Sequence, residues 1–156
     1  EYNGTSWTAS PTAMPEGKRQ GASMGTSTAG AVFGGFNPTP SIVATHLEYD
    51  GSSWTSGGSL STGRFGLGGA GTTSNGLAFK GATPSAQSIA EQYNGTIWVT
   101  APSTATAAYY VGSAGSNSLP TGALSISGRN VPGYLNTVEE FTGETTSLNI
   151  ESVDNS

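Results

Sequence analysis

Short apolar or small-residue runs alternate with polar turns along the chain. No segment holds a helical apolar spacing between recognisable caps. The pattern predicts strands throughout. AGAVFGGF (Ala29–Phe36), NGLAFKGA (Asn75–Ala82) and TGALSISGR (Thr121–Arg129) run apolar or alternate and then meet glycine, as a buried strand meeting a turn does. A Gly/Ala-rich strand precedes each of them: GASMGTST (Gly21–Thr28), FGLGGAGT (Phe65–Thr72) and YVGSAGSN (Tyr110–Asn117). A third strand follows each across a polar loop: SIVATHLEY (Ser41–Tyr49), AQSIAEQY (Ala86–Tyr93) and YLNTVEEF (Tyr134–Phe141). Asn-Gly or Asp-Gly then leads into a fourth strand carrying tryptophan. Asn3-Gly4, Asp50-Gly51 and Asn94-Gly95 are expected to form type I′ hairpin tips, because these pairs tolerate positive φ at both central positions.

The strands repeat as a set. YNGTSW (Tyr2–Trp7) returns as YDGSSW (Tyr49–Trp54), as YNGTIW (Tyr93–Trp98), and in worn form at Phe141–Thr146. The first aromatic residue of each copy follows the last by 47, 44 and 48 residues, a period typical of propeller blades. The expected organisation is one domain over 1–156, with a half repeat at 1–10 and repeats at 17–56, 64–100 and 107–150. Each repeat reads as a four-stranded antiparallel meander. A single sheet cannot bury both faces, so the sheets must pack on one another, giving an all-β partial propeller or one assembled between subunits. Glycine and alanine in the first strands suit a crowded axis, and Trp7, Trp54 and Trp98 suit the wider outer part between sheets. The chain opens inside a repeat and without Met, so it is expected to be part of a longer polypeptide or a processed form of one. The expected partners are further blades of that polypeptide or other copies of the chain. The half repeat is expected to add to a neighbour's sheet.

Hydrophobic strand, glycine doublet, then Tyr and Trp a few residues apart: this order resembles the kelch repeat. Gly34-Gly35 with Tyr49 and Trp54 matches well, Lys80-Gly81 with Tyr93 and Trp98 keeps one glycine, and Ser127-Gly128 with Phe141 lacks the Trp. Arg19 and Arg64 stand before the first strand, where kelch repeats often carry a basic residue; Ala108 or Tyr109 takes that place in the third repeat. The Gly/Ser/Thr-rich flavour is similar to repeats of phage and environmental bacterial surface proteins. The resemblance implies β-propeller blades and no particular activity, because propellers host many functions.

Composition narrows the function. Net charge is −5 and only five cations are present, scattered along the chain, which excludes phosphate-backbone binding as a main role. No apolar run approaches the ~20 residues of a membrane-spanning helix. Cysteine is absent and His46 is the lone histidine, so no cofactor or metal constellation is expected, including the copper site of kelch-type oxidases. Asp50–Trp54 is similar to the Asp-box turn of sialidase-type propellers, but its spacing is off by one residue and no arginine cluster accompanies it. Glu48, Glu139 and Glu140 are the candidate acid–base carboxylates, and a repeated carboxylate beside Tyr is expected to be solvated or to bond a turn. Asn3 and Asn94 head N-glycosylation sequons on the hairpin tips. Tyr109, Tyr110 and Tyr134 depart from the repeat and are the candidate ligand contacts.

These features point to a non-catalytic structural or adhesive module of an extracellular or virion appendage, presenting loops such as Asn37–Thr45 and Thr83–Ser88 to protein or surface glycan. The alternatives are a self-assembling fibril subunit joined by strand complementation, and a carbohydrate-active propeller enzyme.

Overall fold

The computed structural model describes residues 2–10, 12–115, 122–131 and 133–142. Those residues are all-β. The first sheet is β1 (Ala22–Thr26), β2 (Ala29–Phe33), β3 (His46–Tyr49) and β4 (Trp54–Ser56), in chain order. The second is β5 (Gly68–Thr72), β6 (Asn75–Phe79), β7 (Ala90–Tyr93) and β8 (Trp98–Ala101). The third is β9 (Gly112–Ala114), β10 (Ala123–Asn130) and β11 (Gly133–Phe141). Every pairing is antiparallel. These are blade-like sheets in an unclosed array. The fourth strand expected for the third repeat, and the worn copy's end at Thr146, lie outside the described residues.

Strand alternation sends one side of each sheet forward and the other back. Ala22, Met24, Ala31 and Phe33 face the second sheet and meet Leu60, Leu67, Ala78, Tyr93 and Trp98 in one core cluster. Ala70, Leu77, Phe79 and Ala90 join Ala101 and Ala123 in a second cluster, with Val111 and Phe141 half-buried against it. The inner strands crowd as expected. A Cβ on Gly69 would sit 2.7 Å from the Ser23 carbonyl oxygen, so only glycine lets β5 lie this close to β1.

Two expectations need correction. The hairpin tips are not type I′: glycine alone takes positive φ there, at Gly4, Gly51 and Gly95. The preceding side chain bends the loop instead. Asp50 Oδ1 accepts from the Ser52 and Ser53 N–H groups, and Asn94 Oδ1 accepts from Thr96 and Ile97. Two backbone donors satisfied by one oxygen hold the turn without left-handed Asn or Asp. The second correction concerns tryptophan. Trp98 is buried between sheets at 8% exposure, Trp54 is half-buried, and Trp7 is 82% exposed on the Tyr2–Trp7 bridge.

Candidate functional site

The isolated bridges Arg19–Phe36, Phe65–Ala82 and Tyr109–Arg129 occupy equivalent places, just ahead of β1, β5 and β9. They set Arg19, Phe65 and Tyr109 in register. The basic residue of the repeat is therefore Lys18 in the first sheet, matched by Arg64 and Ala108; the pairing of Arg19 with Arg64 expected from sequence is off by one. The residue that follows each bridge takes positive φ: Gln20, Gly66 and Tyr110. Each chain thus bends sharply at the same point.

These bends line up a belt of rings. The Arg19 guanidinium lies 4.5 Å from the Phe36 ring centroid, and Phe36 lies 4.8 Å from Phe65. Phe65 is 5.9 Å from both Tyr109 and Tyr110, whose own rings are 4.8 Å apart. Arg129 closes the belt 6.0 Å from Tyr109. Tyr134, 89% exposed, is the cross-strand partner of Arg129. The candidate contacts Tyr109, Tyr110 and Tyr134 therefore gather at one end of the belt. Arg19, Phe36, Phe65 and Arg129 were not expected to share a site with them. The signal was present as an aromatic or arginine directly before each first strand, but it is readable only once the register is known. At the other end, Gly17, Lys18, Arg19, Phe36, Asn37, Pro38 and Pro40 line a shallow hollow of about 470 Å³, partly built from the loop Asn37–Thr45. Lys18 Nζ donates to Thr45 Oγ1 and sits 3.9 Å from Glu16. Burial pushes its pKa down, against the pull of Glu16.

Of the other titratable groups singled out by sequence, Glu140 is exposed, while His46, Glu48 and Glu139 are engaged between sheets. His46, 1% exposed, accepts from Trp98 Nε1 at 3.3 Å and packs edge-on to Tyr93 and Phe33. Burial lowers its pKa, so it is neutral at pH 7. Glu48, expected to be solvated or to bond a turn, instead accepts a 2.6 Å hydrogen bond from Tyr93 of the second sheet. Burial and that carboxylate push the Tyr93 hydroxyl up to about 12. Arg64 and Glu91 form a buried ion pair at 2.6 Å, and Glu91 also accepts from the Ser61 N–H.

The third sheet lacks an arginine at Ala108. Lys80 of the second sheet reaches Glu139 instead, at 3.1 Å, and Glu139 accepts from the Ala105 and Thr106 N–H groups. This accounts for the lost glycine of the doublet. Gly34, Lys80 and Ser127 are equivalent and all take positive φ, so Lys80 holds a strained backbone while its side chain reaches across. The second glycine, at Gly35, Gly81 and Gly128, is kept: a Cβ there would lie 2.5 Å from Arg19 O, 3.0 Å from Leu67 Cβ and 2.8 Å from Val111 Cγ1 respectively.

A cavity of about 470 Å³ opens between the second and third sheets. Phe79, Pro102, Thr104, Ala105, Ser125 and Glu139 are among its walls. Ser125 Oγ is buried there without a hydrogen-bond partner. Asn3 and Asn94 lie apart from the belt, exposed on the outer hairpin tips, with their Oδ1 atoms engaged by the turn. Among the described residues no group of three His, Cys, Asp or Glu could hold a metal ion, and no helix is long and apolar enough to cross a membrane.

Sheets joined by such seams, with a ring belt at one end, define an all-β protein of blade-like repeats. No family model matches the chain, and no curated protein matches it. Among solved structures the chain is similar to that of YjhT, with a TM-score of 0.68 and 13% identity over 85% of this chain. It spans 44% of the YjhT chain. At that identity the likeness concerns the fold alone.

Proposed function

We infer that this chain is a non-catalytic adhesive repeat module, kelch-like in sequence, which presents the ring belt to surface glycans of an extracellular or virion setting. The observation that carries the reading is the continuous run Arg19–Phe36–Phe65–Tyr110/Tyr109–Arg129. Phe36, Phe65 and Tyr109, half-buried, and Tyr110, exposed, have fixed spacing and suit the apolar faces of sugar rings, and guanidinium groups at both ends donate to hydroxyl or carboxylate oxygens. The rings lose little freedom on binding because neighbouring rings already hold them. The buried ionisable groups His46, Arg64, Lys80 and Glu91 are engaged in seams between sheets, which favours scaffold over turnover.

The test is immobilised-glycan binding by the intact chain, with Phe65→Ala, Tyr110→Ala and Arg129→Ala variants. Binding without substrate consumption, reduced at least tenfold by Tyr110→Ala, is expected. Retention of full binding by all three variants overturns the belt as the site. Turnover of any bound glycan overturns the non-catalytic reading.

A further inference from the structure

The seam between the first two sheets is made from two complementary faces. The forward face of the first sheet offers Phe33, His46 and the carboxylate of Glu48. The backward face of the second offers Tyr93 and Trp98, with the Tyr93 hydroxyl on Glu48 and Trp98 on Phe33 and His46. Sheet register carries these faces to both ends of the array. The forward face of the third sheet has Ile126, Val138 and Glu140 at the places of Phe33, His46 and Glu48. Val138 is 62% exposed and Glu140 is exposed. The backward face of the first sheet has Tyr49 and Trp54 at the places of Tyr93 and Trp98.

The tyrosines report whether a partner is present. Tyr93, which has one, donates across the seam. Tyr2 and Tyr49 fold their hydroxyls back onto the carbonyls of Gly4 and Gly51 in their own hairpins, both at 2.9 Å, and Tyr49, 8% exposed, also meets Ser10 Oγ at 3.2 Å, so the segment ahead of the first sheet covers it where Tyr93 has a sheet. Donor and acceptor also vary together. The third sheet has Phe141 in place of tyrosine, and the residue facing it is Gln92, whose amide is bonded within its own sheet to Asn75. Where the hydroxyl is lost the carboxylate is lost too. Tyr49 keeps its hydroxyl and Glu140 keeps its carboxylate.

We propose that the third sheet of one copy docks on the first sheet of a second copy, with Glu140 displacing Ser10 as the partner of the Tyr49 hydroxyl and Val138 and Ile126 covered by Trp54. The occupant is a second copy because one chain carries both halves of the contact, and the contact repeats a seam already built within the chain. Two such contacts close a pair, while one per copy propagates a filament.

Sedimentation equilibrium of the whole chain from low to high micromolar concentration tests this. Association is expected, with Tyr49→Phe and Glu140→Gln each weakening it roughly tenfold, as for a charge-assisted hydrogen bond. The double variant is expected to be no weaker than either single one, because both remove the same bond. Val138→Lys, at an exposed position and so harmless to the fold, abolishes association. A chain that stays monomeric throughout, or an assembly indifferent to Glu140→Gln and Val138→Lys, overturns the proposal.

Discussion

The seam between the first and second sheets and the seam between the second and third follow one plan with different fillings. In the first, Trp98 and Leu60 fill the space over Phe33, Tyr93 reaches Glu48, and Arg64 neutralises Glu91 at 2.6 Å. In the second, Thr104 stands in the place of Leu60, Phe141 has no hydroxyl, and Lys80 meets Glu139 at 3.1 Å. A cavity of about 470 Å³ remains where the first seam is packed. Side-chain exposure follows, at 2% for Glu91 and 19% for Glu139. One repeat plan therefore yields seams of unequal strength, set by a handful of side chains and not by the strand ladders.

The largest effect that would break this contrast is loss of the tryptophan. Trp98→Ala removes the ring between Phe33 and His46 and should cost about 3–5 kcal/mol of unfolding free energy in urea titration. Arg64→Met leaves Glu91 charged and buried, and should cost a similar 3–5 kcal/mol. Lys80→Met should cost far less, on the order of 1 kcal/mol, because Glu139 keeps two backbone donors and some solvent. Equal losses for the two cation variants would contradict the contrast.

Repairing the slack seam should sharpen the comparison. The double variant Gln92→Glu/Phe141→Tyr installs the hydrogen bond of the tight seam and should add about 1 kcal/mol, while each single change adds nothing or destabilises. Thermal unfolding of all three reads this directly.

Acid should act on both seams in the same direction. Burial holds His46 below its ordinary 6.5. Burial pushes the Glu139 carboxyl up, but Lys80 and the Ala105 and Thr106 N–H groups outweigh it and hold the pKa below the usual 4.5. In each case the unfolded chain takes up the proton first. Stability is thus full near neutrality, falls as pH drops below about 6.5, and falls again below about 4.5. Tyr93 adds an alkaline limb: its folded pKa of about 12 exceeds the ordinary 10.0, so its contribution is lost as pH rises between them. His46→Gln should flatten the upper acid limb alone. The smallest expected effect is at the hairpin tip, where Asp50→Ala removes an exposed turn acceptor and should lower the melting temperature only slightly.

The repeat was legible in the sequence because its aromatic pair and glycine sit at fixed spacing, and that spacing places the eleven strands of the described residues in three sheets. Trp7, Trp54 and Trp98 look alike in sequence but differ in burial, because burial depends on which sheet faces each one. Lys80 reads as a worn glycine, whereas it is the cation of the next seam, which only the fold brings to Glu139. The belt eluded sequence reading for a related reason. Arg19, Phe65 and Tyr109 differ chemically, and the basic residues beside them suggested a register shifted by one. The three tyrosines of the third repeat were visible as departures from the pattern, and they do fall together at one end of the belt.

Native-state hydrogen exchange, resolved by strand, tests the unequal seams most directly. The amides of β9, β10 and β11 should exchange through a partial opening at lower free energy than the core amides of β2, β3, β6 and β7. Equal protection across all three sheets, lost in a single step, would contradict the account.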